Sequence, residues 1–459
     1  MREGCYLKSF SKKLSKNSLM FDNQMLVKLI IPLIIEQFLT VTVGMADSVM
    51  IASVGEAAVS GVSLVDTVNI LLINVFAAMA TGGAVVAGQY LGQKRQKEAC
   101  KAADQLVLFI TFFSIIIMVL MYLCKNWILH GVFGKIDSDV MGYANTYLVI
   151  VSLSIPFIAL YNGGAALFRT MGNSNISMII TLIMNIINVI GNAILIYRFQ
   201  MGVAGAAIPT LFSRIVAAIL IIVLLRKQNL LVHLTKPFQF KLNFHFIKKI
   251  LRIGIPNGLE NSMFQLGKIL VLSLVAGFGT ASIAANAVSN TIANFQILPG
   301  MAIGLATITV VSRCVGAGDY EQVRFYTRKL LRITYLSMIL INIIIDLGLP
   351  LILWIYNLTP ETGMITKQLI LYHSICCVTI WPFSFTLPNT LRASNDVRFC
   401  MVTSIVSMWV WRIAFSFVLA QFLHLGVFGV WVAMTIDWLF RAICFVIRYR
   451  GSRWQLKSN

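Results

Sequence analysis

VKLIIPLIIEQFLTVTVGMADSVMI, residues 27–51, is a run whose only charges are Lys28, Glu36 and Asp47. At about 1.5 Å per residue, a helix of that length crosses a hydrocarbon layer of roughly 30 Å. Eleven more apolar stretches follow, at 60–90, 105–124, 144–168, 176–197, 203–225, 250–276, 283–312, 331–356, 368–391, 400–422 and 427–448. The chain as a whole is 58% hydrophobic and 12% charged, where a soluble domain carries about 25% charged residues. The expected fold is therefore an all-α polytopic membrane protein with twelve transmembrane helices. The run at 27–51 is too long for a signal-peptide core and has no small-residue cleavage pattern, so it reads as a retained first helix.

The opening stretch recurs. A shift of 224 positions lays Pro32 on Pro256, Glu36 on Glu260, Gly55 on Gly279, Gly92 on Gly316, and Gly202-Val203-Ala204-Gly205 on Gly426-Val427-Phe428-Gly429. At a shift of 226, Ile155-Pro156-Phe157 falls on Trp381-Pro382-Phe383. Such agreement at helix-breaking and small residues marks two copies of one six-helix unit. An even number of helices in each copy makes the repeat parallel, about an axis along the membrane normal, with substrate expected between the copies. The plan is a basic tail at 1–26, a first lobe at 27–225, a linker at 226–249, a second lobe at 250–448 and a tail at 449–459.

The formal net charge of +20 would suggest nucleic acid in a soluble protein, but the cations sit between the apolar runs. They gather in the tails and alternate connections, as at Lys12, Lys13 and Lys16, at Lys94, Arg95, Lys97 and Lys101, at Lys236, Lys241, Lys248 and Lys249, and at Arg448, Arg450 and Arg453. This is the pattern of cytoplasmic segments, so both termini and the linker are expected there, in a plasma-membrane protein that meets anionic lipid and no nucleic acid. The eight cysteines show neither a zinc spacing nor a disulfide framework, and Cys376 and Cys377 are adjacent within an apolar run. Gly88 and Gly92 precede Gln93-Lys94 without completing a phosphate loop, and suit close helix approach instead. With no diphosphate-binding, metalloprotease or hydrolase motif, no catalytic residue, metal site or cofactor is expected. Transport would then draw on a gradient of H+ or Na+.

Charges inside a membrane are costly and mark function or an internal partner. Glu36 lies four residues after Pro32, whose missing amide frees a helix carbonyl nearby. Asp47 follows eleven residues later, within roughly 20° of the same face, so one helix would offer acids at two depths. Asp66 lies in the second span, and Asn185, Asn188 and Asn192 form a polar stripe on the fifth. The second half repeats Pro256 and Glu260 but adds Lys268 on the same helix, and it places Arg412 where the first half has Asn188. Lys268 and Arg412 are expected to neutralise Glu260 and Asp437, with Arg441 pairing to Asp437 along the helix, as a buried charge network. Coupling is expected in the first half, where only Arg214 stands among the acids.

These residues resemble the multidrug and toxic compound extrusion family over nearly the whole chain. The resemblance rests on Pro32 with Gly44-Met45-Ala46-Asp47-Ser48-Val49-Met50 ending in Gly55, on Gly202-Val203-Ala204-Gly205-Ala206-Ala207, and on Asp437-Trp438 with Arg441 before Arg448-Tyr449-Arg450. It implies two six-helix lobes in a V, alternating access, and a monomer that exports small, mostly cationic or amphipathic aromatic compounds in exchange for H+ or Na+. Asp47 matches the first-helix aspartate of ion coupling and Asn188 a fifth-helix amide, whereas Asn192 stands where several members have an aspartate. Phe264 stands where many members carry an acid, with Glu260 one turn earlier. The alternative is a flippase for a lipid-linked saccharide, which would line its cavity with several basic residues for a diphosphate; only Arg214, Lys268, Arg412 and Arg441 fall inside the spans.

Overall fold

In lipid a backbone must satisfy its own hydrogen bonds, which leaves the helix as the solution for each apolar run. The computed structural model describes residues 19–132, 134, 137–236 and 241–455. Lys12, Lys13 and Lys16 lie outside the described residues. The helices are α1 (Asn23–Ala52), α2 (Glu56–Gly92), α3 (Gln96–Leu123), α4, α5 (Ser174–Arg198), α6 (Ala204–Leu225), α7 (Phe244–Ala276), α8 (Thr280–Gly316), α9 (Tyr320–Tyr356), α10, α11 (Val397–Phe422) and α12 (Gly426–Arg450). Both α4 and α10 are bent, α4 by 47° between Ser138–Leu153 and Ile155–Thr170, and α10 by 58° between Pro360–Thr379 and Pro382–Ala393. Among the described residues, ten helices are long and apolar enough to span a membrane, or twelve with each bent pair taken as one span. The bends fall at the repeated prolines Pro156 and Pro382, each in the first turn of its second arm, because a proline supplies no amide to the preceding turn.

The repeated glycines have geometric reasons. Gly202 and Gly426 turn the chain into α6 and α12 with φ of +56° and +55°, a region that L side chains avoid. Gly92 and Gly316 mark the crossing of α2 and α8. A Cβ on Gly92 would lie 2.0 Å from the Arg313 carbonyl oxygen, and one on Gly316 would lie 2.0 Å from that of Gln89.

That crossing belongs to a seam between the halves at the end of the bundle that carries the basic connections, here called the basic end. The seam has two-fold character. Gln89 of α2 donates to the Ala393 carbonyl at 2.9 Å, and Arg313, its match in the repeat, donates to the Thr170 carbonyl at 3.1 and 2.7 Å. Ahead of α1, the Met20 amide donates to Gln322 at 2.9 Å, and the Tyr326 hydroxyl accepts from the Phe21 amide at 2.8 Å while donating to its carbonyl at 2.7 Å. The largest apolar cluster spans the same region, from Leu33 of α1 and Phe76 of α2 to Ile250 of α7 and Val310 of α8. The smaller clusters each stay within one half. Leu120, Ile186, Ile219, Leu340 and Leu347 face outward, as a lipid-facing surface requires.

Candidate functional site

Within the first half, a cavity of about 120 Å³ is lined by Asp47 and Ser48 of α1, Ser63 and Asp66 of α2, Tyr147 of α4 and Thr210 of α6. The stripe on α5 hydrogen-bonds two of its lining residues. Asn192 Nδ2 donates to Asp47 Oδ1 at 2.7 Å and to Asn188 Oδ1 at 3.3 Å, and Asn188 Nδ2 donates to the Thr210 hydroxyl at 2.9 Å. Asn185 is spent elsewhere, on the Leu39 carbonyl at 2.9 Å. Buried Asn192 Oδ1 receives no hydrogen bond, so an acceptor beside a carboxylate is left for a proton donor or a cation. Carboxylate, amide and hydroxyl oxygens converging in this way suit a hard cation.

Two residues complete the cluster. Tyr147, on an apolar helix where no periodicity singles it out, lines the cavity beside Asp66. Arg214 of α6 lies within electrostatic reach of Asp47 and Asp66 and donates to the Ser154 hydroxyl at 2.7 Å. Two carboxylates thus share one tethered guanidinium, which leaves the pocket with one uncompensated negative charge when both are ionised.

The structure takes Glu36 away from this pocket. Glu36 pairs with Arg169 at 3.0 Å and accepts from Ser177 at 2.7 Å, and it is 5% exposed. The carbonyls freed near Pro32 are met by Ser174, whose hydroxyl contacts the Leu29 oxygen at 2.7 Å and the Lys28 oxygen at 3.3 Å, so no shared ion is needed there. Glu260 behaves in the same way. Its partner is Arg392 at 2.7 Å, which corrects the expectation of Lys268 or Arg412. Arg169 and Arg392 occupy matched places near the ends of α4 and α10 at the basic end. Each stands one residue beyond the apolar run read from the sequence, where a cation looks like a topology signal. An arginine kept opposite a kept glutamate in both halves was the available clue.

In the second half Arg412 contacts Asp437 at 3.7 Å, as expected, and Ser407 donates to Asp437 at 2.6 Å. Arg441 does not take Asp437 as a hydrogen-bond partner. It donates to the Ser384 carbonyl at 3.2 Å, because its guanidinium is drawn over the ring of Phe385, 4.3 Å from the centroid. Pro256, like Pro32, is buried within its helix.

The MatE family model matches the chain twice, over residues 32–194 and 256–418. The chain belongs to the MatE family. The two matches begin 224 residues apart, the shift at which the prolines and glutamates coincide. Among curated relatives, the uncharacterized transporter YisQ of Bacillus subtilis is 26% identical over 93% of this chain and 94% of its own length. A probable multidrug resistance protein NorM of Thermotoga maritima is 25% identical over 98% and 97%. A solved outward-facing multidrug resistance MATE family transporter of the MOP superfamily superposes with a TM-score of 0.88 over 94% of this chain and 96% of that one, at 20% identity. This MatE chain is thus a multi-pass membrane protein of a multidrug efflux transporter family, with a bilayer as its environment.

Proposed function

We propose that the protein is a secondary active antiporter that exports small amphipathic organic compounds in exchange for H+ or Na+ by alternating access. The observation that carries this reading is Asp47, held by Asn192 beside an acceptor without a donor, at a polar cavity within the first half. The charge pattern orients the basic end toward the cytoplasm, so the described conformation is closed on that side. Transport then requires the seam to open and the halves to rock about it.

Asp47 and the seam share one helix. A proton or sodium ion arriving at Asp47 neutralises it and weakens the charge-assisted bond from Asn192, which loosens α1 against α5. At the other end of α1 lies the Phe21 contact with Tyr326 of the second half. Loading the ion therefore shifts the balance between two arrangements of α1, and only a difference in affinity for those arrangements can do so. Glu36 and Glu260, each locked to an arginine, hold helices together and do not exchange ions in this mechanism. Transport measured in proteoliposomes with proton and sodium gradients imposed separately tests the reading: substrate movement indifferent to both gradients would refute it.

A further inference from the structure

The two halves share a backbone plan but carry opposite interior charge. Where the first half has Gly44, Asn188 and Ala217, the second has Lys268, Arg412 and Arg441 at the shift of 224, and the places of Asp47 and Asp66 are taken by Val271 and Asn290. With Glu260 and Arg392 neutralising each other, three cations remain against Asp437. Asp346, which accepts from Ser374 at 2.6 Å, is not among the charges that act on Lys268, Arg412 or Arg441.

The cations converge on one place. Arg412 and Arg441 both lie over the ring of Phe264, at 5.2 and 5.0 Å from its centroid. Arg412 is set there by a widened, π-type turn of α11 over Met408–Ala414, a feature that recurs at functional sites. Arg441 is 1% exposed, and its Nε and Nη1 have no hydrogen-bond partner. Buried donors of an ionised group left unmet are expensive, and a ligand that meets them recovers that cost. Lys268, one turn beyond Phe264, has an exposed side chain and, among the described residues, makes no ion pair or hydrogen bond, while lying within electrostatic reach of Arg412. The surroundings are aromatic: Phe385 meets Phe264 edge-on at 6.3 Å and stacks on Trp381 at 4.8 Å. A guanidinium's planar fork fits a carboxylate, and rings beside it fit an aromatic body.

We propose that the second half holds an anion-binding subsite, formed by Lys268, Arg412 and Arg441 around Phe264, that takes the carboxylate of an aromatic organic acid. This deepens the export reading by naming the cargo's charge, and it replaces the cationic cargo that the family resemblance implies. The ion pocket and the cargo subsite then have opposite polarity and lie in different halves.

Equilibrium binding in phosphatidylcholine nanodiscs, read by quenching of tryptophan fluorescence, tests this without any ion gradient, so its outcome is separate from that of the antiport reading. The probes are 2-naphthoate and the similarly shaped cation 2-naphthylmethylammonium. Naphthoate should bind saturably and more tightly than the cation. Lys268→Met should weaken it about tenfold, as loss of one charged contact does, and Lys268→Glu should weaken it further and favour the cation. Lys268 has no partner to strand, so both variants should fold, and Lys268→Gln provides a third. No saturable naphthoate binding, tighter binding of the cation, or naphthoate affinity unchanged in all three variants overturns the proposal. Displacement of naphthoate by geranyl diphosphate at lower concentration than by benzoate overturns the carboxylate assignment in favour of a lipid diphosphate headgroup.

Discussion

Replacing Arg313 with methionine would unfasten one side of the seam that joins the halves at the basic end. The guanidinium gives two hydrogen bonds to the Thr170 carbonyl, at 3.1 and 2.7 Å, and lies 5.4 Å from the centroid of the Phe21 ring. In the arrangement opened at this end, water would take over those contacts. The net value is therefore that of a charged hydrogen bond, about 1.5–3 kcal/mol, which converts to a roughly 10- to 150-fold shift toward the open arrangement. Gln89, its match, makes neutral bonds to Ala393 and Asn395 worth about 0.5–1.5 kcal/mol, so Gln89→Met should shift the balance only about 2- to 12-fold. A cysteine introduced at Ser312, which is fully buried against Gly88 at the α2–α8 crossing, reports the opening in a background stripped of native cysteines. Its maleimide labelling rate should rise in that order, Arg313→Met well above Gln89→Met. An unchanged rate in Arg313→Met, with the protein folded, would refute the view that these contacts hold the basic end shut.

Glu36→Gln alone strands Arg169 in the interior and should cost about 3–5 kcal/mol, while the double variant with Arg169→Gln should recover much of it; Glu260 with Arg392 should behave alike in thermal unfolding. Gly92→Ala forces a methyl to within 2.0 Å of the Arg313 carbonyl oxygen, so the crossing cannot close as it stands. The variant should lose about 1–3 kcal/mol of that arrangement and label faster at the introduced cysteine. A cysteine at Lys236 should react with membrane-impermeant reagents only from the cytoplasmic side of oriented vesicles.

The fold was open to reading from the sequence because membrane-spanning helices impose length and composition, and because Pro32, Glu36, Gly92 and Gly202 all have counterparts at one shift. Asp47 and the α5 amides were legible for the same reason: polar groups at helical spacing stand out on an apolar background. Arg169 and Arg392 were not, since a cation at the end of a span serves topology as readily as it serves a buried glutamate. Tyr147 was hidden by being one aromatic among many, and its place beside Asp66 is a proximity between helices that no local pattern encodes. Arg214 could be seen but not placed, because the register of α6 against α2 is set by packing. Asymmetry between the halves was legible in outline, but it lies in the acidic pocket of Asp47 and Asp66 against the cationic cluster, since both halves keep a locked glutamate.

Gradient-driven transport by the Asp47→Asn variant, measured in proteoliposomes beside the unaltered protein at matched folded content, tests the central claim most directly. The asparagine keeps the shape of the side chain and a hydrogen bond to Asn192 but removes the exchangeable charge. The account predicts that the unaltered protein moves an aromatic organic probe against its gradient when a proton or sodium gradient is imposed. The variant should be folded and still bind the probe, yet lose that driven movement. Full gradient-driven transport by Asp47→Asn would contradict the account.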